Sequence, residues 1–535
     1  MSNPEPSAPH PAPTLGTLPK PPSLLLVVML TALAGGMGWG IRGQYGHETG
    51  AMIAGVLVAS VLAFFFCPGA GSLFTARAVA LMTIAIGFGG SMTYGQTVGL
   101  THDRELIGNT EALRWGLVGL FIKGGIWIAL AAAFFGIGLS RVRYKPTEIG
   151  SLLILMLFFL FGGIALINQP FDPANKILPD VYFSDHWYFE PDLGIEQPRR
   201  ERWGGLFMAL LSVLLYVSII KRDKLAQWLT LFGFLAGGFG FALGQYLQHY
   251  HAWHPEFFET GFFADGPLHT IVSRFNWWNM METAFGTIFG AILALGVWIN
   301  RDLIKNEPEE ESAEFSAGNE WLLILVHVGA LLAWNFQDNP KFDEFADHAV
   351  TMGMLPIIGI VAGRFWPYMV TLPIVILPIA GKTVRHLVYE TQQIELLLTQ
   401  FTAPIRALPN VGPQWGDAIT SFILSSPRTL ELFGWLVYGI IPVTIALVLA
   451  FVLKRSGDRG RSGRHFARWN LLFTAWVFFC LNFAFFHFPW PWHSLEEWTG
   501  RTPNAAIFTL ALASITLITL FYGHRYEHHK TSATD

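Results

Sequence analysis

The stretch LAGGMGWGIRGQYGHETG, Leu33 to Gly50, begins as the end of an apolar run and finishes among Arg42, Gln44, His47 and Glu48. The residues before it, Leu24 to Ala32, carry no charge. Together they reach the length that crosses a bilayer, roughly 20 residues. The reading is therefore a membrane helix that delivers a polar cluster to the membrane surface. A related stretch, LAGGFGFALGQYLQHYH, returns at Leu235 to His251. The device is repeated, so it belongs to the architecture and not to one loop.

Similar apolar runs recur along all 535 residues, which are 52% hydrophobic and 13% charged, with a mean hydropathy of +0.42. Soluble domains carry about 25% charged residues. The runs are continuous, whereas barrel strands alternate over about 10 residues. The fold class is an all-α polytopic integral membrane protein with about 14 transmembrane helices arranged as seven hairpins. The predicted spans are 23–41, 50–67, 77–97, 114–139, 149–167, 203–220, 226–247, 278–300, 320–337, 349–364, 366–382, 431–453, 469–487 and 505–522.

Three short connections are basic: SRVRYKP (140–146), KRDK (221–224) and KRSGDRGRSGRHFAR (454–468). The positive-inside rule puts them in the cytoplasm, with both termini. The expected setting is a bacterial-type inner membrane. The longer acidic and aromatic connections then face outward. Residues 1–21, rich in Pro, Ser and Thr, read as a disordered cytoplasmic tail. Residues 22–225 form a first half of three hairpins and 226–453 a second half. The second half includes an outer loop at 383–430, with an interfacial amphipathic helix over about 383–401. A basic loop (454–468), a last hairpin (469–523) and a tail (524–535) follow. Lys20, the apolar run and Ala32-Leu33-Ala34 imitate a signal peptide. The recurrence of LAGG at 235–238 argues instead for a retained helix.

Hairpins one and four align best, each pairing LAGG and GQY with a second helix that opens on ETG or ETA. This predicts an internal duplication of parallel repeats. Gly35, Gly36, Gly38, Gly40 and Gly43 are dense enough to predict a broken helix end, a backbone tolerated at depth only within protein or around a cavity. Gln44, Gln96, Gln245, Asn335 and Gln337 offer both donors and acceptors, as a neutral polar ligand requires. Arg42, His47 and His249 complete the ligand-facing set. Glu48, Glu111, Glu201 and Glu282 open second helices, where a carboxylate also complements the helix dipole. Lys123 is the clear mid-span cation, a costly placement that asks for a buried partner; Glu48, Glu282 and Asp338 are the candidates. If the halves share one site, Glu48 and Glu282 lie near each other or in equivalent positions.

A net charge of −4 gives no reason to expect nucleic acid, and Cys67 and Cys480 form no metal spacing. No HExxH, CxxC, GxSxG or GxxxxGK[ST] occurs, so zinc hydrolysis, hydrolase elbows and nucleotide-driven transport are not indicated. No cofactor is expected. His47, His249 and His251 come nearest to a metal set, but interfacial histidines are commoner and no metal is expected. The function these features fit is a transporter or permease for a small polar, sugar-like solute, with its site at the outer mouth of the bundle. Glu48, Glu282 and Lys123 would couple or gate. The alternative is a membrane-embedded glycosyl or acyl transferase acting on a lipid-linked substrate at the outer face. Asp103, Glu105, Asp338, Asp343 and His348 are placed there to act as acid or base. A third reading is a structural subunit of a larger membrane complex. Membrane lipid is a partner in every case.

Overall fold

The computed structural model describes residues 22–168, 201–307, 313–336, 351–390 and 394–531. It is all-helical, 82% helix without strands among the described residues. In chain order the helices are α1 (Leu24–Arg42), α2 (Thr49–Phe66), α3 (Ser72–Gly90), the short α4 (Gly95–His102), α5 (Thr110–Leu139) and α6 (Pro146–Leu166). There follow α7 (Trp203–Ile220), α8 (Lys224–Trp253), α9 (Gly266–Ser273), α10 (Trp277–Ile299), α11 (Ala317–Phe336) and α12 (Leu355–Ala362). The last third holds α13 (Trp366–Glu390), α14 (Ile394–Arg406), α15 (Gly412–Ile423), α16 (Pro427–Asp458), α17 (Gly463–Phe485) and α18 (Thr502–Thr531).

Among the described residues, 12 helices are long and apolar enough to cross a membrane, so the chain is a multi-pass membrane protein. The expectation was fourteen; twelve are found among the described residues. The spans predicted at 320–337 and 349–364 correspond to shorter apolar helices, Ala317–Ala333 and Thr351–Ala362. They flank residues 337–350, which lie outside the described set.

Helix starts follow local sequence. Asn109, Asp223 and Asn276 cap α5, α8 and α10, accepting from Ala112 N (3.0 Å), Ala226 N (3.1 Å) and Asn279 N (2.9 Å). Each satisfies a backbone donor that the first turn leaves free. Pro146 starts α6 where no donor is needed. α2 is the central helix, buried at every residue and packed by α1, α3, α13 and α17. α6, α16 and α18 lie outermost, with apolar side chains such as Phe158, Val448 and Leu510 exposed. An exposed apolar face is what a lipid-facing helix presents.

The glycines do something other than the predicted break. α1 runs unbroken to Arg42, and its glycines are crossing points. A Cβ on Gly35 would strike the Gly286 carbonyl of α10, and one on Gly286 would strike Gly35. A Cβ on Gly38 would stand 2.8 Å from Ala54 Cα of α2. The second LAGG does the same work, with Gly237 of α8 against the Gly124 carbonyl of α5. Without Cβ atoms the backbones approach closely and dispersion contacts replace the missing side chains.

The predicted interfacial helix at 383–401 is also corrected. Residues 383–390 finish α13, and the amphipathic segments are α14 and α15, which leave Phe401, Trp415 and Phe422 exposed. α13 carries Pro373 and Pro378 and two π-turns, Val370–Ile374 and Arg385–Glu390. Proline removes a ladder hydrogen bond, and a π-turn accommodates the offset.

Candidate functional site

α1 ends by placing Arg42 inside the bundle. Its Nη1 lies 3.2 Å from Oε1 of Glu282 on α10, and both side chains are only 2% exposed. Nη2 donates to the Tyr94 hydroxyl and sits 3.3 Å from His47 Nδ1. The guanidinium carbon is 5.5 Å from the ring centres of both Trp39 and Tyr94, within cation–π range. Asn279 Nδ2 bridges the Gly40 carbonyl (2.6 Å) and Glu282 Oε2 (3.1 Å). Glu48 and Glu282 both attract Arg42. Glu282 is the carboxylate in contact with the guanidinium, while Glu48 acts on it through its charge and has an oxygen close to Gly46. Nε of Arg42 has no hydrogen-bond partner among the described residues.

α4 links this pair to a second one. Tyr94 precedes the helix, and Thr97 and Thr101 follow at spacings of three and four, which place them on one helical face. Thr97 donates from its backbone to Glu201 Oε1 (3.0 Å) and from its hydroxyl to Oε2 (2.6 Å). Lys123 Nζ lies 2.5 Å from Thr97 Oγ1 and 2.6 Å from Glu201 Oε2, with neither charged side chain exposed. The Glu201 backbone carbonyl accepts from Asn168 Nδ2 at 2.7 Å. One turn on, Thr101 Oγ1 accepts from Gln245 Nε2 at 2.7 Å. The Thr101 carbonyl accepts from Trp253 Nε1 at 3.0 Å and lies 3.3 Å from His249 Nδ1. Oε1 of Gln245 and of Gln248 are buried with no partner among the described residues. Buried acceptors are nearly always bonded, so these two mark where a further donor fits.

A third contact locks the α1–α2 turn to α13. Lys382 Nζ donates to the Tyr45 carbonyl (2.8 Å) and Thr49 Oγ1 (3.0 Å), and the Tyr45 hydroxyl lies 3.1 Å from Thr383 Oγ1. Lys382 and Glu48 flank the same side of Gly46, whose φ is +87°. Burial pushes the Tyr45 hydroxyl well above its ordinary value, with the Thr383 contact opposing.

The sequence-predicted residues divide as follows. Arg42, His47 and Glu282 converge, and Glu48 lies in the adjoining α1–α2 turn with its carboxylate close to Gly46. Lys123 is buried against Glu201, a carboxylate that the sequence reading did not offer as its partner; of the three that it did, Asp338 lies outside the described residues and Glu282 pairs with Arg42. Glu201, read from sequence as a dipole partner, is the counter-ion because α7 enters beside α4. Gln245 and His249 join the same spine through Thr101. Gln44 is half-buried in the α1–α2 turn. α8 extends past the predicted end at 247, so His249 faces Thr101 while His251 stacks 4.3 Å from the Trp277 ring. Two residues apart on a helix point apart, and they do not form a ligand pair. Among the described residues no three His, Cys, Asp or Glu converge as a metal set. Asp103 and Glu105 lie exposed at the end of α4. The side chains of Gln96 and Asn335, and all of Gln337, Asp338, Asp343 and His348, lie outside the described residues. Tyr94, Thr97, Thr101 and Asn279 were missed; the signal for the first three was their helical spacing. No family model, curated protein or solved structure matches the chain.

Proposed function

We propose that this chain is a multi-pass carrier for a small, neutral, polar solute, with α4 as its recognition and gating element. The observation that carries the reading is the pair of solvent-free ion pairs, Arg42–Glu282 and Lys123–Glu201, joined through Tyr94 and Thr97. Buried ion pairs are often no more stabilising than apolar residues of the same shape. Their retention between membrane helices marks a pathway or switch. The unpartnered oxygens of Gln245 and Gln248 supply acceptors for a hydroxyl or amide donor. Exchange of Arg42 between Glu282 and Glu48 gives two arrangements of similar charge, as alternating access needs. The similarity of hairpins one and four fits an ancient duplication. The basic ends at 140–146, 221–224 and 454–468 fit a cytoplasmic placement in an inner membrane.

A second reading, the outer-face transferase, draws on Asp103. Partial desolvation and the nearby Glu105 raise its carboxyl above the usual range, with His102 opposing. A raised carboxyl suits a general acid. Proteoliposomes separate the two. Uptake of radiolabelled hexoses, polyols or neutral amino acids should exceed that of empty vesicles and fall in Glu282→Gln, with Asp103→Asn unaffected. Uptake no better than empty vesicles across the panel, or equal in wild type and Glu282→Gln, would sink the carrier reading.

A further inference from the structure

Gly43 directly follows the last residue of α1 and carries no side chain where the Arg42–Glu282 pair needs room. Its backbone is helical, with φ −51° and ψ −28°, angles that any residue adopts. The backbone therefore gives no reason for glycine. The reason lies on α10. A Cβ at Gly43 would strike Oε2 of Glu282 and stand 2.8 Å from both its Cδ and its Oε1. The carboxylate occupies the space of the missing side chain. This collision differs in kind from those at Gly35 and Gly286, where a methyl meets a backbone carbonyl. A packed helix backbone cannot step aside, whereas a carboxylate swings on its side-chain torsions. A methyl at Gly43 displaces the charge and leaves the helices in place.

In this seat the carboxylate is held from two sides. Arg42 Nη1 lies 3.2 Å from Oε1, and Asn279 Nδ2 lies 3.1 Å from Oε2 while also donating to the Gly40 carbonyl at 2.6 Å. A second cation acts on the same carboxylate. Arg501 stands just before α18 with its guanidinium carbon 4.2 Å over the Phe486 ring, and it attracts Glu282 through its charge. We propose that Gly43 is the positioning residue of the charge pair: the gap it leaves seats Glu282 on Arg42, and Arg501 receives the carboxylate when it leaves that seat. The inference rests on the carrier reading for its purpose, since Arg42 can turn to Glu48 only if Glu282 finds another counter-charge. A buried carboxylate without one is costly. The seat itself does not depend on transport.

The test compares initial uptake into proteoliposomes and apparent melting temperature in detergent, both on the full chain. Gly43→Ala should lower uptake by about tenfold to a hundredfold, the scale of an ångström of misplacement at a preorganised site, and should lower the melting temperature. Glu282→Asp withdraws the carboxylate by one methylene. Combined with Gly43→Ala it should bring both readouts back to those of Glu282→Asp alone, a rescue that general overpacking would not show. Gly150→Ala, where a methyl meets nothing within 4 Å, should lower neither. Arg501→Gln should lower the melting temperature more in the Gly43→Ala background than in wild type, because the displaced carboxylate then has no counter-charge. Gly43→Ala equal to wild type in both readouts, or a double variant as impaired as Gly43→Ala, overturns the seat. Equal shifts for Arg501→Gln in the two backgrounds overturn the transfer to Arg501. Rescue of the melting temperature in a protein whose wild type shows no uptake upholds the seat and sinks the carrier reading alone.

Discussion

Arg42 and Glu282 are 240 positions apart in the chain and meet at 3.2 Å inside the helix bundle. Each supplies the other's counter-charge where water does not reach. Removing one partner leaves the other charged and desolvated, which costs about 3–5 kcal/mol. Glu282→Ala should therefore lower the stability of the detergent-solubilised protein sharply. Arg42→Met with Glu282→Leu should recover much of the loss while abolishing uptake. Thermal unfolding and proteoliposome flux on the same samples check both. A double variant as unstable as the sum of the singles would contradict the pairing.

Lys123 and Glu201 predict a measurable coupling mediated by Thr97. Thr97→Val keeps the shape but removes the hydroxyl shared by both charges, at about 1–3 kcal/mol for a buried unsatisfied group. In a Lys123→Met background the same change should cost less, because the donor it served is gone. A double-mutant cycle by denaturant unfolding reads the difference. Equal costs in both backgrounds would show that Thr97 does not bridge the pair.

The glycine crossings make a comparison within one chain. Gly35→Ala drives a methyl into the Gly286 carbonyl and should destabilise by about 1–3 kcal/mol, the usual cost of overpacking. On lipid-facing α6, a methyl added at Gly150 or Gly162 would meet nothing within 4 Å. Alanine there should be neutral or stabilising by about 0.4–1 kcal/mol. Melting temperatures of the three variants decide it; a neutral Gly35→Ala would mean that α1 and α10 do not cross as described.

Asp103 gives a pH dependence with a definite sign. Its carboxyl is raised in the folded protein above the ordinary value of 3.8, first by partial desolvation and also by Glu105. The folded state holds the proton longer than the unfolded one, so Asp103 contributes a loss of stability as pH rises from 3.8 through the raised value. Asp103→Asn should flatten that part of the profile and be no less stable than wild type at neutral pH. Unfolding of both proteins from mildly acidic to neutral pH is the measurement. A steeper fall in the variant would reverse the assignment.

Cys67 is buried and its thiol is pushed up to about 12 by burial, with Thr75 and Arg464 opposing. The thiolate is the reactive form, so Cys67 should resist N-ethylmaleimide at mildly alkaline pH in the native protein and react on unfolding. Mass spectrometry of Cys480→Ser before and after denaturation tests this. Stoichiometric labelling of the native variant would place Cys67 at a surface.

Much of the architecture was legible in the residues alone. Continuous apolar runs fixed the membrane class, because the bilayer's thickness sets a length that few soluble helices match. The caps Asn109, Asp223 and Asn276 were not read from the sequence, because apolar periodicity locates the helix body and does not register the single side-chain bond that starts it. The polar end of the first helix pointed to Arg42, His47 and Glu48, and the repeat pointed to Glu282. Glycine density misled, since a close crossing and a broken helix ask for the same small residue, and only a neighbouring backbone tells them apart. The counter-ion of Lys123 was equally hidden. Glu201 lies 78 positions away, and it reaches the lysine only because α4 and α7 pack beside α5. Composition and periodicity, which act within one segment, determined the helices and the polar cluster. Which charges meet, and that α4 joins them, was decided by packing between segments. Charge partners inside a membrane are chosen by proximity in three dimensions, and separation along the chain carries no record of it.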